Sequence, residues 1–157
     1  ILTPALRLAF MLLPDALTAD YKALKLNSDL HSESLSQYVL AEFIDSGRLE
    51  KHTARMNKIY NQKRKHLISE LNARFSGEFL VKGQTAGLHV LVSFHNAVFS
   101  PELVNKISSL GATVYPVEDF SFHSRGLHRN EIILGYAHLS LSEITRGVEI
   151  ISKILHS

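Results

Sequence analysis

The chain has no cysteine among its 157 residues. Disulfides are therefore excluded, as are a thiolate nucleophile and a zinc–thiolate site. No stretch approaches the roughly twenty consecutive apolar residues of a membrane-spanning helix. The first thirteen residues lack the basic start and small-residue cleavage site of a secretory signal, which makes a cytoplasmic location the default. A large excess of either charge is lacking too: a formal +2 is too little to argue by itself for nucleic acid or a membrane surface. Neither HExxH, nor GxSxG, nor a phosphate-cradling glycine loop occurs. An initial methionine is also missing. The chain opens on Ile1 and enters an apolar run within a few residues, as a piece cut from something longer would.

That run is Leu6 to Leu13, nearly continuous in hydrophobes, with Arg7 alone inside it. Such a stretch predicts a strand covered on both faces of a sheet, ended by Pro14, which cannot donate to a ladder. An unpaired buried charge is very costly, so Arg7 needs an anionic partner. Two partners fit: a carboxylate elsewhere in the fold, or a ligand phosphate or carboxylate held by the planar guanidinium fork. Without flanking strands the run presents an unpaired apolar edge. It is then expected to pack on the chain's own helices or to be shared with a second copy.

Pro14-Asp15-Ala16-Leu17 opens a helix to about Lys25. A second begins near Ser32 or Ser34, both fitting N-caps, and ends at Gly47; Leu35, Tyr38, Val39, Phe43 and Ile44 give it an apolar face. From Leu49 to Phe75 neither Gly nor Pro interrupts the chain, and Met56, Ile59, Tyr60, Leu67, Leu71 and Phe75 recur at helical spacing. Beyond Ser76-Gly77 the period changes to that of strands, over Glu78–Lys82 and Leu88–Phe94, joined by a turn from Gly83 to Gly87. Ser100-Pro101-Glu102 starts another helix; Thr113–Val117 and Glu131–Ala137 read as strands around an irregular loop from Glu118 to Asn130. Ser140-Leu141-Ser142-Glu143 is a capping box for a last helix whose face is Ile144, Val148, Ile151 and Leu155. The order predicts an α+β domain: a small sheet of about four strands, covered by helices on one side.

The nine histidines include His89 in a strand, His123 and His128 in the loop and His138 beyond the last strand, but no ligand spacing joins them. The basic run Lys51, Arg55, Lys58, Lys63, Arg64 and Lys65 reads as a solvated helix face, since no aromatics interleave it. Glu118 and Asp119 stand side by side in the loop, where acids are usually solvated. Taken alone, these residues form no complete catalytic set, and no metal ligands are assigned.

Four stretches nevertheless resemble one family in its own order. Thr3-Pro4-Ala5-Leu6-Arg7-Leu8-Ala9-Phe10 resembles the segment after the Schiff-base lysine of fold-type I pyridoxal-phosphate enzymes. The helix pair, with Leu49-Glu50-Lys51-His52 running on through Met56, Tyr60 and Arg64, is similar to the FIxSGxLExHxxRMxxxY pattern of the MocR subgroup of GntR-type transcription regulators. So are Gly87-Leu88-His89 and Leu134-Gly135-Tyr136-Ala137-His138-Leu139-Ser140.

The resemblance implies residues 1–14 as the last strand of a large pyridoxal-phosphate-binding domain, 15–48 as connecting helices and 49–157 as the C-terminal small domain of an aminotransferase-like fold. It implies pyridoxal 5'-phosphate as cofactor, with Arg7 on its phosphate. The lysine, most of the cofactor domain and a DNA-binding winged helix would precede Ile1. It further implies a cytoplasmic homodimer that senses an amino-acid-like or amine ligand by forming an aldimine. Asp119 would lie beside that ligand. Relatives that take a carboxylate-bearing ligand can carry an arginine there, and a carboxylate repels a carboxylate. True aminotransferases often place that arginine in the last strand, where this chain reads Ile132-Ile133-Leu134; Arg125, Arg129 and Arg146 are alternative anion partners. A MocR-type regulator is the leading expectation, and this chain alone is expected to be catalytically inactive. The alternatives are a true pyridoxal-phosphate-dependent aminotransferase and a non-catalytic α+β interaction domain.

Overall fold

A computed structural model describes residues 8–29, 33–83, 87–121 and 126–157. Arg7, His123, Arg125 and most of the turn after Gly83 lie outside the described residues. The chain divides into two compact units, with the boundary between Asn57 and Lys58.

The first unit is helical. Residues 8–14 belong to no regular element, and helix α1 covers Asp15–Asp29, longer than expected. The described part of the expected first strand is thus absent. A lone strand leaves its ladder groups unpaired, and the four strands of the described residues all lie between Phe79 and Gly135. Its middle is not packed away either: Phe10 and Leu12 are 90% and 89% exposed, while Leu8 and Leu13 are half-buried.

Helix α2 spans Ser34–Asp45, and its cap is Glu33 rather than either serine. The Glu33 carboxylate accepts the N–H groups of Leu35 and Ser36, both at 2.7 Å. A full negative charge satisfies two orphan donors there and meets the positive end of the helix dipole. The apolar face of α2 is present but uncovered: Leu35, Tyr38 and Val39 are exposed, and no α2 residue is buried.

The second unit holds the core. Helix α3, Arg48–Phe75, buries Leu67, Leu71 and Phe75 along its later turns. Ser76 and Gly77 leave it with φ of +42° and +88°, the left-handed exit that glycine makes cheaply. Strands β1 (Phe79–Lys82) and β2 (His89–Phe94) form an antiparallel hairpin, Val81 opposite Val92. Helix α4 spans Pro101–Ser109, capped by the Ser100 hydroxyl accepting from Leu103 N–H. Strand β3 is only Tyr115–Pro116, because Pro116 offers no N–H and opens a 3-10 turn, Val117–Phe120. Strand β4 (Glu131–Gly135) lies between β2 and β3, giving the antiparallel order β1-β2-β4-β3. Beyond it, Tyr136 N–H donates to Leu88 O at 3.1 Å.

Helix α5, Leu141–Leu155, carries the expected capping box. Ser140 N–H donates to the Glu143 carboxylate at 2.7 Å, and Glu143 N–H to the Ser140 hydroxyl at 3.2 Å. Its buried face is Ile144, Val148, Ile151 and Ile154, whereas Leu155, expected on that face, is only partly buried against the core. These pack with Val90, Val92, Phe94, Ile132 and Leu134 of the sheet and with Ile107 of α4 in one cluster. Phe94 anchors it edge-on, with ring centroids 5.0 Å from Phe75 and 5.6 Å from Phe99.

Candidate functional site

Pro116 and the 3-10 turn decide where the two loop acids go. Asp119 and Phe120 face solvent, while Glu118 turns back, half-buried. Its carboxylate accepts the N–H of Gly126 and, at 3.1 Å, that of His128. Those bonds, the one from Gly126 foremost, hold the Glu118 carboxyl below the usual carboxylate range against the opposing effect of burial; the charge of Arg129 adds to them. Glu118 is therefore a clasp closing the loop. Asp119 makes no hydrogen bond or ion pair with any described residue.

A second carboxylate, missed in the sequence, organises the base of the same loop. Glu131, first residue of β4, is only 6% exposed. It accepts from Lys82 Nζ at 2.6 Å and pairs with His128 Nδ1 at 2.9 Å. The Lys82 bond, then His128, holds the Glu131 carboxyl below its ordinary value despite desolvation. The His128–Glu131 spacing was the only signal for it, and nothing in the sequence placed Lys82 on the neighbouring edge.

Of the arginines expected as alternative anion partners, Arg125 lies outside the described residues, and neither Arg129 nor Arg146 forms an ion pair with Asp119. Arg129 lies by Glu118, and Arg146 lines a cavity under α5. Ile133 sits mid-strand between Leu91 and Tyr115. The basic run of α3 is mixed: Lys51, Arg55, Lys58 and Lys65 are exposed, whereas Lys63 donates to Ala137 O at 2.7 Å and Arg64 to Asn61 Oδ1 at 2.7 Å. Lys82 is taken by Glu131, and Arg74 by Glu70 and Glu149. Arg7, the residue expected on the cofactor phosphate, lies outside the described residues. Those residues hold no group of three or more His, Asp and Glu side chains able to bind a metal ion. No helix among them is long and apolar enough to cross a membrane.

The fold matches a part of fold-type I aminotransferases that includes their small domain. An α-aminoadipate aminotransferase from Thermus thermophilus superposes on 98% of the chain with a TM-score of 0.81 and 25% identity, over 39% of its own length. The aminotransferase Aro9 from C. albicans covers 99% with a TM-score of 0.85 at 17% identity, over 37% of its own length. In sequence, the chain is 30% identical along 94% of its length to an uncharacterised HTH-type transcriptional regulator, YdeL, of Bacillus subtilis, covering 32% of that protein. It is 25% identical along 94% to MocR, a probable rhizopine catabolism regulatory protein of Rhizobium meliloti, covering 29%. No protein-family model matches. The chain is thus similar both to HTH-type regulators, MocR among them, and to aminotransferases, as its motifs implied. It spans about a third of the length of these relatives.

Proposed function

We propose that these residues are the C-terminal part of the ligand-sensing, aminotransferase-like domain of a MocR-type transcription regulator. The observation that carries the reading is the match to HTH-type regulators, at 30% and 28% identity along 94% of the chain. The site adds support. By the family resemblance, apolar Ile132-Ile133-Leu134 of β4 stand where a true aminotransferase often carries its carboxylate-binding arginine, and an exposed Asp119 beside the ligand would favour a cationic or amino group on it. Pyridoxal phosphate, when bound in the complete protein, supplies the electrophile that captures an amino ligand. Arg7 would hold its phosphate, and the lysine that carries it would lie outside these residues. DNA binding belongs to a winged helix elsewhere in the polypeptide, and the regulator works as a cytoplasmic homodimer. These 157 residues alone do not transfer amino groups, because a Schiff base needs a positioned, activated amine.

The second reading, a true aminotransferase, is favoured by the 26% identity to the 2-aminoadipate transaminase of Thermus thermophilus along 99% of the chain. One experiment separates them. The product of the complete reading frame is incubated with pyridoxal phosphate, then assayed for visible cofactor absorbance, for amino transfer to a 2-oxo acid, and for retention of its own upstream DNA. Absorbance and DNA retention without turnover support the regulator. Turnover without DNA binding supports the enzyme, and no cofactor absorbance removes both.

A further inference from the structure

One row of side chains crosses the sheet on a single face. Lys82 stands opposite Leu91, Leu91 opposite Ile133, and Ile133 opposite Tyr115. Alternate residues of a strand share a face, so Glu131, two residues before Ile133 and opposite Ser93, lies on this face as well. The other face sends Val90, Val92 and Ile132 into the core. Among the described residues Glu131 is the one buried charged side chain. A buried ion pair is a poor device for stability alone, because apolar side chains of like volume often hold a fold as well or better.

What Glu131 holds is a loop. One of its oxygens accepts from Lys82 Nζ, and the other meets His128 Nδ1 at 2.9 Å. An ionised carboxylate only accepts, so His128 presents Nδ1–H to it. The backbone N–H of His128 in turn donates to Glu118, the residue before Asp119. A path of bonds therefore runs from β1 through Glu131 and His128 to the foot of Asp119. Asn130 pins the same end of the loop, its Nδ2 donating to Ser93 Oγ at 3.2 Å and to Phe94 O at 2.8 Å.

We propose that Glu131 is a positioning residue of the ligand site, latching the Glu118–Asn130 loop to the sheet through His128 so that Asp119 is presented in one place to an amino-bearing ligand. Lys82 takes the second oxygen of Glu131 and leaves the first free of any competing cation but His128. Asp119 itself is exposed and makes no bond to a described residue, so its place depends on its neighbours in the loop. The assignment rests on the reading that Asp119 lies beside the ligand of a longer, cofactor-binding protein.

The test uses the product of the complete reading frame, loaded with pyridoxal phosphate and titrated with 1,4-diaminobutane, a diamine whose second amine can face Asp119. The change in visible cofactor absorbance gives the affinity for the diamine, and a separate titration gives that for the cofactor. Asp119→Asn weakens the diamine. His128→Ala weakens it about tenfold, the size of an ordinary coupling between sites, and leaves cofactor affinity unchanged. That substitution keeps the charge of Glu131, so attraction through space does not account for the loss. His128→Asn, whose side-chain N–H stands where Nδ1–H stood, restores most of it. Asp119→Asn and His128→Ala together weaken the diamine no more than the stronger change alone, since one acts through the other. Unchanged diamine affinity in His128→Ala, where Asp119→Asn lowers it, overturns the latch and leaves the reading beneath it standing. Parallel loss of cofactor affinity, additive losses, or no recovery in His128→Asn overturns it in favour of a structural role. No absorbance response to the diamine, or one that Asp119→Asn leaves unchanged, overturns the reading of Asp119 and the latch with it.

Discussion

Three acidic residues close together in the fold do three different things because of what donates to them. Asp119 has solvent, Glu118 has backbone N–H groups, and Glu131 has Lys82 and His128. For Glu131 the folded carboxyl titrates below 4.5. Its stabilising contribution is therefore complete above that value and is lost as pH falls through the lower, folded one. Glu131→Gln should cost about 1–2 kcal/mol at neutral pH, since Lys82 and His128 are partly exposed and screened. Urea denaturation should show it, and the gap between variant and parent should narrow below pH 4.5. Glu118→Gln should act locally, speeding amide exchange at Gly126 and His128 while Tm changes little. In the complete protein, Arg7→Ala should weaken pyridoxal-phosphate affinity by roughly 1.5–3 kcal/mol, with Lys recovering only part. Unchanged affinity in a cofactor titration would return Arg7 to a structural ion pair.

At the scale of elements, local signals worked where the physics is local. The Ser140–Glu143 capping box and the Ser100–Pro101 start are satisfied within a turn of backbone, so neighbours suffice to specify them. Ser140→Ala should cost about 1 kcal/mol, seen as a fall in Tm of about 2–4 °C. Period-2 alternation through Val90 and Val92 placed the inner face of β2, which the structure continues to Phe94. The failures were non-local. Whether Leu8–Leu13 forms a strand depends on a neighbour to pair with, and β3 shrank to two residues because Pro116 ends its ladder and starts the turn. The cap of α2 passed to Glu33 because its longer side chain folds back onto two N–H groups.

Across the whole molecule, the two units differ in what they bury. Helix α2 has no buried residue, whereas β2, β4 and α5 supply most of the core around Leu71, Ile132 and Val148. Backbone opening is cheap where few apolar contacts are lost. Amides of Leu35–Ile44 should therefore exchange early in the isolated chain, while those of Val90, Ile132 and Val148 should follow global unfolding. Mass-spectrometric hydrogen exchange distinguishes the two, and equal protection in both would mean that α2 is covered in solution.

The sequence by itself determined the order and kind of elements in the second unit, the faces of its helices and strands, and the resemblance to aminotransferase-like regulators. Each of these follows from spacing along one strand or helix, or from short motifs in order. Only the tertiary structure decided that Glu131 is buried against Lys82, that Glu118 clasps the loop while Asp119 stays free, and that Gly135 and Gly147 face one cavity. Lys82 and Glu131 sit on β1 and β4, strands that never pair with each other, and Gly135 and Gly147 on a strand and a helix that meet only when α5 folds over the sheet. Such meetings are set by chain crossings and register, which no periodicity along the chain encodes.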